Sequence, residues 1–573
     1  MKKLLKHLKP YKKECIIAPL FKMIEAIFEL LVPLVVAYII NNGITNKDSK
    51  AILICVAILF GFATIGYGCA LIAQYFSAKA AIGFSKDVKQ TLFEHIQTLS
   101  FADLDKIGIN SLITNMSSDI NQMQTGVNMF LRLFLRSPFV VLGAVIMSFM
   151  VNTKTALIFA VSIPILSIFV FFIMYVSIPL MKKAQSKLAN LLKNTRDNLS
   201  GSRVIRAFQL EENEIKDFKE KNEDFTSFQI FVSKISSLLN PITYVIINLS
   251  IIAIIYIGGN EVSEGVIANG DVVAQYNYMT QILVELIKLA SLTITLNKAI
   301  ACGRRVFSVL DVLNTQHFPE KSQITSESNI AVKMTNCSLR YPNNQENSIE
   351  NINLIVKKGE TVGIIGGTGS GKTSLVNLLP RFYDATSGNI ELFGNDINNY
   401  SKKDLRKMVG TVLQDSILFK GSIKDNILMA NNATPEEINK ALEIAQAVDV
   451  VNSRDNKLEA PVNQGGSNFS GGQKQRLSIA RTLLSNPKIL ILDDNSSALD
   501  YLTDKKLRDA IKLLHQDITL FIVSSRVASI IDADKIVVLD EGKVIAIDKH
   551  ENLIENCDIY KQIYYSQNEK EEI

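Results

Sequence analysis

The densest chemistry in this chain lies in eight consecutive residues, Gly366-Gly367-Thr368-Gly369-Ser370-Gly371-Lys372-Thr373, followed by Ser374. They match GxxxxGK[ST]. Glycines in such a loop let backbone N–H groups wrap phosphate oxygens, the lysine reaches the terminal phosphates, and the threonine hydroxyl suits magnesium. The context agrees: residues 361–365 read as an apolar strand and 374–379 as a helix. A second apolar run begins at Ile489 and stops at two acids, Asp493 and Asp494. It reads as a strand buried on both faces, with its acids emerging at the carboxyl end, where α/β sheets place ligands. Asp493 is the expected member of a magnesium shell. Tyr341, in an extended segment beside Pro342, has the shape to stack on a flat ring, although a core tyrosine has the same local signature.

These groups need a sheet to hold them, and strands alternate with helices over residues 321–573, which predicts an α/β domain. Residues 1–320 have a different character. Six stretches, near 15–41, 51–76, 128–152, 155–181, 230–259 and 272–296, are long and apolar enough to cross a bilayer. The links near 77–127 and 182–229 are long, polar and helical in pattern, and among the links between spans they carry most of the lysines and arginines. The positive-inside rule then places both termini and both long loops in the cytoplasm. The expected architecture is an α-helical six-span membrane domain fused to an α/β phosphate-binding-loop domain.

A chain of 573 residues is too long for one ordinary domain, and a net charge of +5 gives no case for nucleic acid as a partner. The six cysteines are scattered with no metal-ligand spacing, which reads as reduced packing thiols. The basic start is interrupted by Pro10 and carries no cleavable signal pattern; residues 1–9 read as an amphipathic helix on the cytoplasmic membrane face. Glu25 and Glu29 lie one turn apart in the first span, facing either a wet cavity or a structural partner. Arg132 and Arg136 are expected at the membrane interface.

Phe469-Ser470-Gly471-Gly472-Gln473-Lys474-Gln475-Arg476 resembles the signature LSGGQ-x-QR of ABC transporters, and with the motifs above nearly the whole chain resembles an exporter-type half-transporter. The resemblance implies ATP and magnesium as cofactors, and two such domains meeting head to tail with each ATP between one phosphate loop and the opposite signature. It assigns Tyr341 to the adenine, and Gln414 to sensing magnesium and coupling to the membrane domain. Ser470, Gly471, Gly472 and Gln473 go to the γ-phosphate across the dimer, and Ser497-Ala498-Leu499-Asp500 to the interface. Residues 101–105 and 201–208 resemble the loop tips that dock on the nucleotide-binding domains.

Two positions depart from the family. Asp494 stands where the catalytic glutamate is usual, and Ser525 where a switch histidine is usual. An aspartate is one methylene shorter, so its carboxylate falls about 1 Å short of an attacking water, a displacement that costs on the order of 10² in rate. Serine has neither the reach nor the charge of an imidazole. Residues 460–464, Ala-Pro-Val-Asn-Gln, also depart from the exporter pattern. The two losses resemble the degenerate subunit of a heterodimeric exporter in a bacterial cytoplasmic membrane. Its partner chain would supply glutamate and histidine, and its cargo would be hydrophobic or amphipathic small molecules. Alternatives are a slow homodimeric pump, a lipid or peptide exporter, or a regulatory ATP-binding subunit.

Overall fold

The computed structural model describes residues 6–568 other than 326, 343, 430–431, 495–498 and 515–517. The chain divides into two units, one of residues 1–95 and 110–311, the other of 96–109 and 312–573.

The first unit is helical, as six long apolar segments with no water to bond their backbones require. The helical stretches Lys6–Ile44, Ser49–Thr98, Ile109–Val151, Thr153–Ser200, Glu211–Ser263 and Asn269–Leu310 each contain a window long and apolar enough to span. They outrun the hydrocarbon: the 50-residue helix Ser49–Thr98 is about 75 Å long at a rise of about 1.5 Å per residue. Of the expected helix over residues 1–9, residues 1–5 lie outside the described set; the remainder belongs to a 3₁₀ stretch, Lys6–Tyr11, with Pro10 inside it, and an α-helix follows from Lys12.

Small residues bring the spans together, as expected where apolar surface alone gives helices no reason to associate. A Cβ on Gly143 would meet Leu30 at 2.4 Å, and one on Gly270 would meet the Ala37 carbonyl at 2.3 Å. Tyr278, fully buried, donates to the Leu30 carbonyl at 2.9 Å. The intramembrane charges pair. Arg136 donates to Glu285 and to Glu29, each at 2.5 Å, and Glu285 also accepts from Ser137 at 2.7 Å and Lys288 at 2.8 Å. This corrects the interfacial placement of Arg136: the guanidinium is buried and joins the first, third and sixth spans. Glu25 is bound by Lys22 at 2.6 Å.

Among the described residues the second unit is built on three sheets. Its strands are β1 (Ile330–Leu339), β2 (Ile349–Lys357), β3 (Thr361–Gly366), β4 (Ser387–Leu392), β5 (Asn395–Asp396), β6 (Val409–Val412), β7 (Gly421–Ser422), β8 (Pro461–Val462), β9 (Ile489–Asp493), β10 (Thr519–Val523), β11 (Lys535–Asp540) and β12 (Lys543–Asp548). An antiparallel sheet runs β2-β1-β4-β5, a larger one runs β12-β11-β3-β10-β9-β6, and β7 pairs with β8. In the larger sheet all neighbours are parallel except the β11–β12 edge. Strands β3, β9 and β10 are buried at every residue, as central parallel strands are. Two apolar clusters form the core. One packs helices such as Gly471–Leu483 under the larger sheet, and the other fills the space between the two main sheets.

The second unit also holds the tip at residues 96–109. Its helix Phe101–Ile107 starts with a reciprocal cap between Ser100 and Asp103. The Phe101 ring lies 4.9 Å from that of Phe382, and the Tyr383 hydroxyl donates to Asp105 at 2.6 Å. The other tip helix, Ser202–Ala207, belongs to the first unit and ends at Phe208, 72% exposed.

Candidate nucleotide site

The parallel sheet positions the site. Strand β3 delivers the loop and β9 the acids, with β10 between them. Gly366 is required by close approach: a Cβ there would stand 2.1 Å from the Leu539 carbonyl of neighbouring β11. Gly371, at φ +95°, turns the chain into helix Lys372–Asn377 in a conformation costly for any residue with a Cβ. The turn presents a cleft of about 640 Å³ lined by Gly369, Gly371 to Ser374, and Gly542. Two rim acids, Glu346 and Glu541, went unnoticed in the sequence; nothing local marks them, since distant segments bring them there.

Lys372 extends its ammonium to the carbonyls of Gly366, at 3.0 Å, and Gly367, at 2.8 Å. Thr373 donates to Asp493 at 3.1 Å, so hydroxyl and carboxylate sit side by side. The Gln414 amide donates to Asp494 at 3.3 Å. Asp494 leaves β9 through a left-handed turn, φ +49°, and its N–H bonds the Val523 carbonyl at 2.9 Å. Burial pushes the Asp493 carboxyl above the usual aspartate range; the Thr373 hydrogen bond and Lys372 oppose this and Asp494 adds to it. Burial also raises Asp494, against Lys372 and Arg526, and lowers the Lys372 ammonium. Burial disfavours the charged form of both carboxyls, so a bound cation would help to hold them ionised. With oxygen donors from Thr373, Asp493 and Gln414 close by, the site fits a hard cation such as magnesium.

Tyr341 is half-buried. Its hydroxyl donates to Ser374 at 3.1 Å and its ring meets Tyr383 edge-on at 4.8 Å. Ser525 is exposed on the loop after β10, and its carbonyl accepts from Gln567 at 2.8 Å.

The signature forms a separate place. Ser470 caps helix Gly471–Leu483: its hydroxyl accepts from the Gln473 N–H at 3.3 Å, and the Gln473 side chain accepts from the Ser470 N–H at 3.1 Å. The Ser470 proton remains available for donation, and the N–H groups of Gly471 and Gly472 have no acceptor within their own helix. These residues, with Arg476, Leu499 and Asp500, line a pocket of about 440 Å³ that shares no residue with the phosphate-loop cleft. Of the interface stretch 497–500, Ser497 and Ala498 lie outside the described residues.

Six apolar spans joined to a phosphate-loop α/β unit that also carries a capped signature helix define a nucleotide-driven membrane transporter. Residues 15–286 match the family model "ABC transporter transmembrane region", and residues 349–497 match "ABC transporter". The uncharacterized ABC transporter ATP-binding protein YfiB of Bacillus subtilis is 32% identical over 568 residues, 99% of this chain and 98% of the relative. YgaD of the same species, provisionally named a multidrug export ATP-binding/permease protein, is 31% identical over 99% of both chains. The fold is that of a solved bacterial Atm1-family ABC exporter with ATP bound, at a TM-score of 0.81 and 20% identity, covering 98% of this chain and 99% of that one. The chain belongs to the ABC transporter family: it is a multi-pass membrane protein with an ATP-binding unit.

Proposed function

We propose that this chain is one half of a heterodimeric ABC exporter that uses ATP to carry hydrophobic or amphipathic compounds out across a bacterial cytoplasmic membrane. Both termini and both long loops lie in the cytoplasm. The observation that carries the reading is the pairing of separated half-sites with two altered residues. The phosphate loop and the signature open into different pockets, so each half-site has surface for a second chain to complete. The phosphate-loop half has Asp494 and Ser525 where the family's hydrolytic groups stand.

On this reading the loop 366–373 cradles the phosphates of ATP, Lys372 neutralises the terminal ones, and Tyr341 meets the adenine. Bound magnesium, held by Thr373, Asp493 and Gln414, would offset charge on the phosphates. Asp494 is too short to activate water well, so this site holds ATP, while Ser470, Gly471, Gly472 and Gln473 complete the partner's site. The names of relatives such as YgaD support drug-like cargo, and the charge pattern of the long loops supports the orientation.

A second reading, a homodimer in which Asp494 acts as a slow base, is favoured by the upward shift of that carboxyl, which suits proton abstraction. One experiment separates the two. In the assembled pump, Asp494→Asn is expected to lower ATP turnover less than about threefold, and replacing the partner's glutamate by glutamine to lower it about 10²-fold or more. Equal collapse from both changes, or vigorous turnover by this chain purified alone, would refute the degenerate-site reading.

A further inference from the structure

The ATP chemistry makes no use of one flank of the membrane unit. There the N-terminal segment meets the first, second, third and sixth spans around a groove of about 600 Å³. Close backbone approaches shape its walls. A Cβ on Gly126 would stand 2.4 Å from Ala299, drawing the third and sixth spans together, and one on Gly83 would stand 2.2 Å from the Tyr11 ring, seating the N-terminal segment on the second span. The groove is largely apolar, with Phe84, Met123, Phe130 and Ile300 among its lining, and its charged lining residues are Lys9 and Lys12. No Asp or Glu lines it among the described residues. The acids near the N-terminal segment are engaged elsewhere: Glu14 is bound by Lys79 at 3.0 Å, and Asp87 accepts a hydrogen bond from the Tyr11 hydroxyl.

We propose that this groove holds one anionic phospholipid of the surrounding bilayer, an acyl chain in the trough and the phosphate at Lys9 and Lys12. The argument is charge complementarity at a fixed depth. Lysine stems cover apolar surface while their ammonium groups stay at headgroup level, and paired lysines there attract anionic headgroups over zwitterionic ones. A neutral lipid fills the trough equally well but leaves the two ammonium groups without a counter-charge. The same stretch, from Lys6 to Lys13, adds two further lysines, Lys6 and Lys13, to the local excess.

The chain contains no tryptophan, so a single introduced indole reports on the groove. The full-length protein carrying Phe130→Trp is reconstituted in phosphatidylcholine vesicles with bromine-labelled phosphatidylglycerol or bromine-labelled phosphatidylcholine at matched mole fraction. Quenching is read as the difference from the unsubstituted protein. Half-quenching is expected at about tenfold lower mole fraction of the anionic lipid. Adding Lys9→Gln and Lys12→Gln should bring the two lipids within about twofold. Phe172→Trp, exposed on the fourth span and outside the groove, should show no preference. Ile300→Trp, on the groove's other wall, repeats the measurement if Phe130→Trp fails to accumulate. Equal quenching by both lipids, an equal preference at Phe172→Trp, or a preference that survives the glutamine pair would overturn the proposal. So would quenching by neither lipid, which would mean that protein covers the groove.

Discussion

Glu285 in the membrane unit and Asp493 in the nucleotide-binding unit are both buried carboxylates, 2% and 1% exposed, and their surroundings differ in kind. Glu285 is met by a guanidinium, an ammonium and a hydroxyl, all within 2.8 Å. Asp493 has the Thr373 hydroxyl at 3.1 Å and a second carboxyl, Asp494, as its neighbour in sequence, while the nearby Lys372 ammonium bonds loop carbonyls. The first arrangement is complete within the chain. A buried charge without compensation is costly, so the second is suited to a cationic ligand. Burial by itself therefore does not mark function in this protein; the balance of charge around the buried group does.

The sharpest way to break the comparison is Arg136→Met. It strands Glu285 and Glu29 against a single remaining ammonium, and the expected loss is about 3–5 kcal/mol of stability, read as a large fall in thermal midpoint in detergent. Adding Glu285→Met should recover part of it, because a buried pair is replaced by apolar packing. A change under about 1 kcal/mol would remove the structural role assigned to the triad. Next in size, Asp493→Asn should weaken magnesium-dependent ATP binding about tenfold or more, near 1.4 kcal/mol, without lowering the nucleotide-free midpoint. A midpoint drop resembling that of Arg136→Met would mean the two carboxylates are alike after all. The smallest effect is that of Ser470→Ala. Loss of the cap costs about 1 kcal/mol locally, and it should slow turnover of the assembled pump while leaving ATP affinity at this chain's own phosphate loop unchanged. Unaltered turnover would count against a role for the signature in the partner's site.

Much of the site was legible because its motifs are local. Gly366 to Thr373 form a loop by their own backbone preferences, the run ending in Asp493 forms a strand by its own apolarity, and Ser470 with Gln473 closes a cap three residues long. The contacts that escaped are distant ones. Arg136 looked interfacial because it precedes the third span, and its partners lie 107 and 149 residues away. That opposite charges stand in three different spans was the available signal, but helical periodicity does not say which faces meet. Docking of the 101–105 tip follows from the family resemblance, but not its partner Tyr383, 278 positions from Asp105, nor the contact of Gln414 with Asp494 across 80 positions.

The sequence by itself determined six apolar spans, an α/β nucleotide-binding unit and the residue types at each half-site, because hydrophobic length, strand apolarity and glycine-dependent loops act over a few neighbouring residues. Only the tertiary structure decided that Glu29, Arg136 and Glu285 form one charge cluster. It alone set Asp493 and Asp494 beside the loop of β3, with Asp493 buried, and kept the signature pocket apart from the phosphate-loop cleft. Those outcomes depend on which surfaces pack together, and packing is settled by burial and charge balance summed over the whole unit, which no short stretch of chain contains.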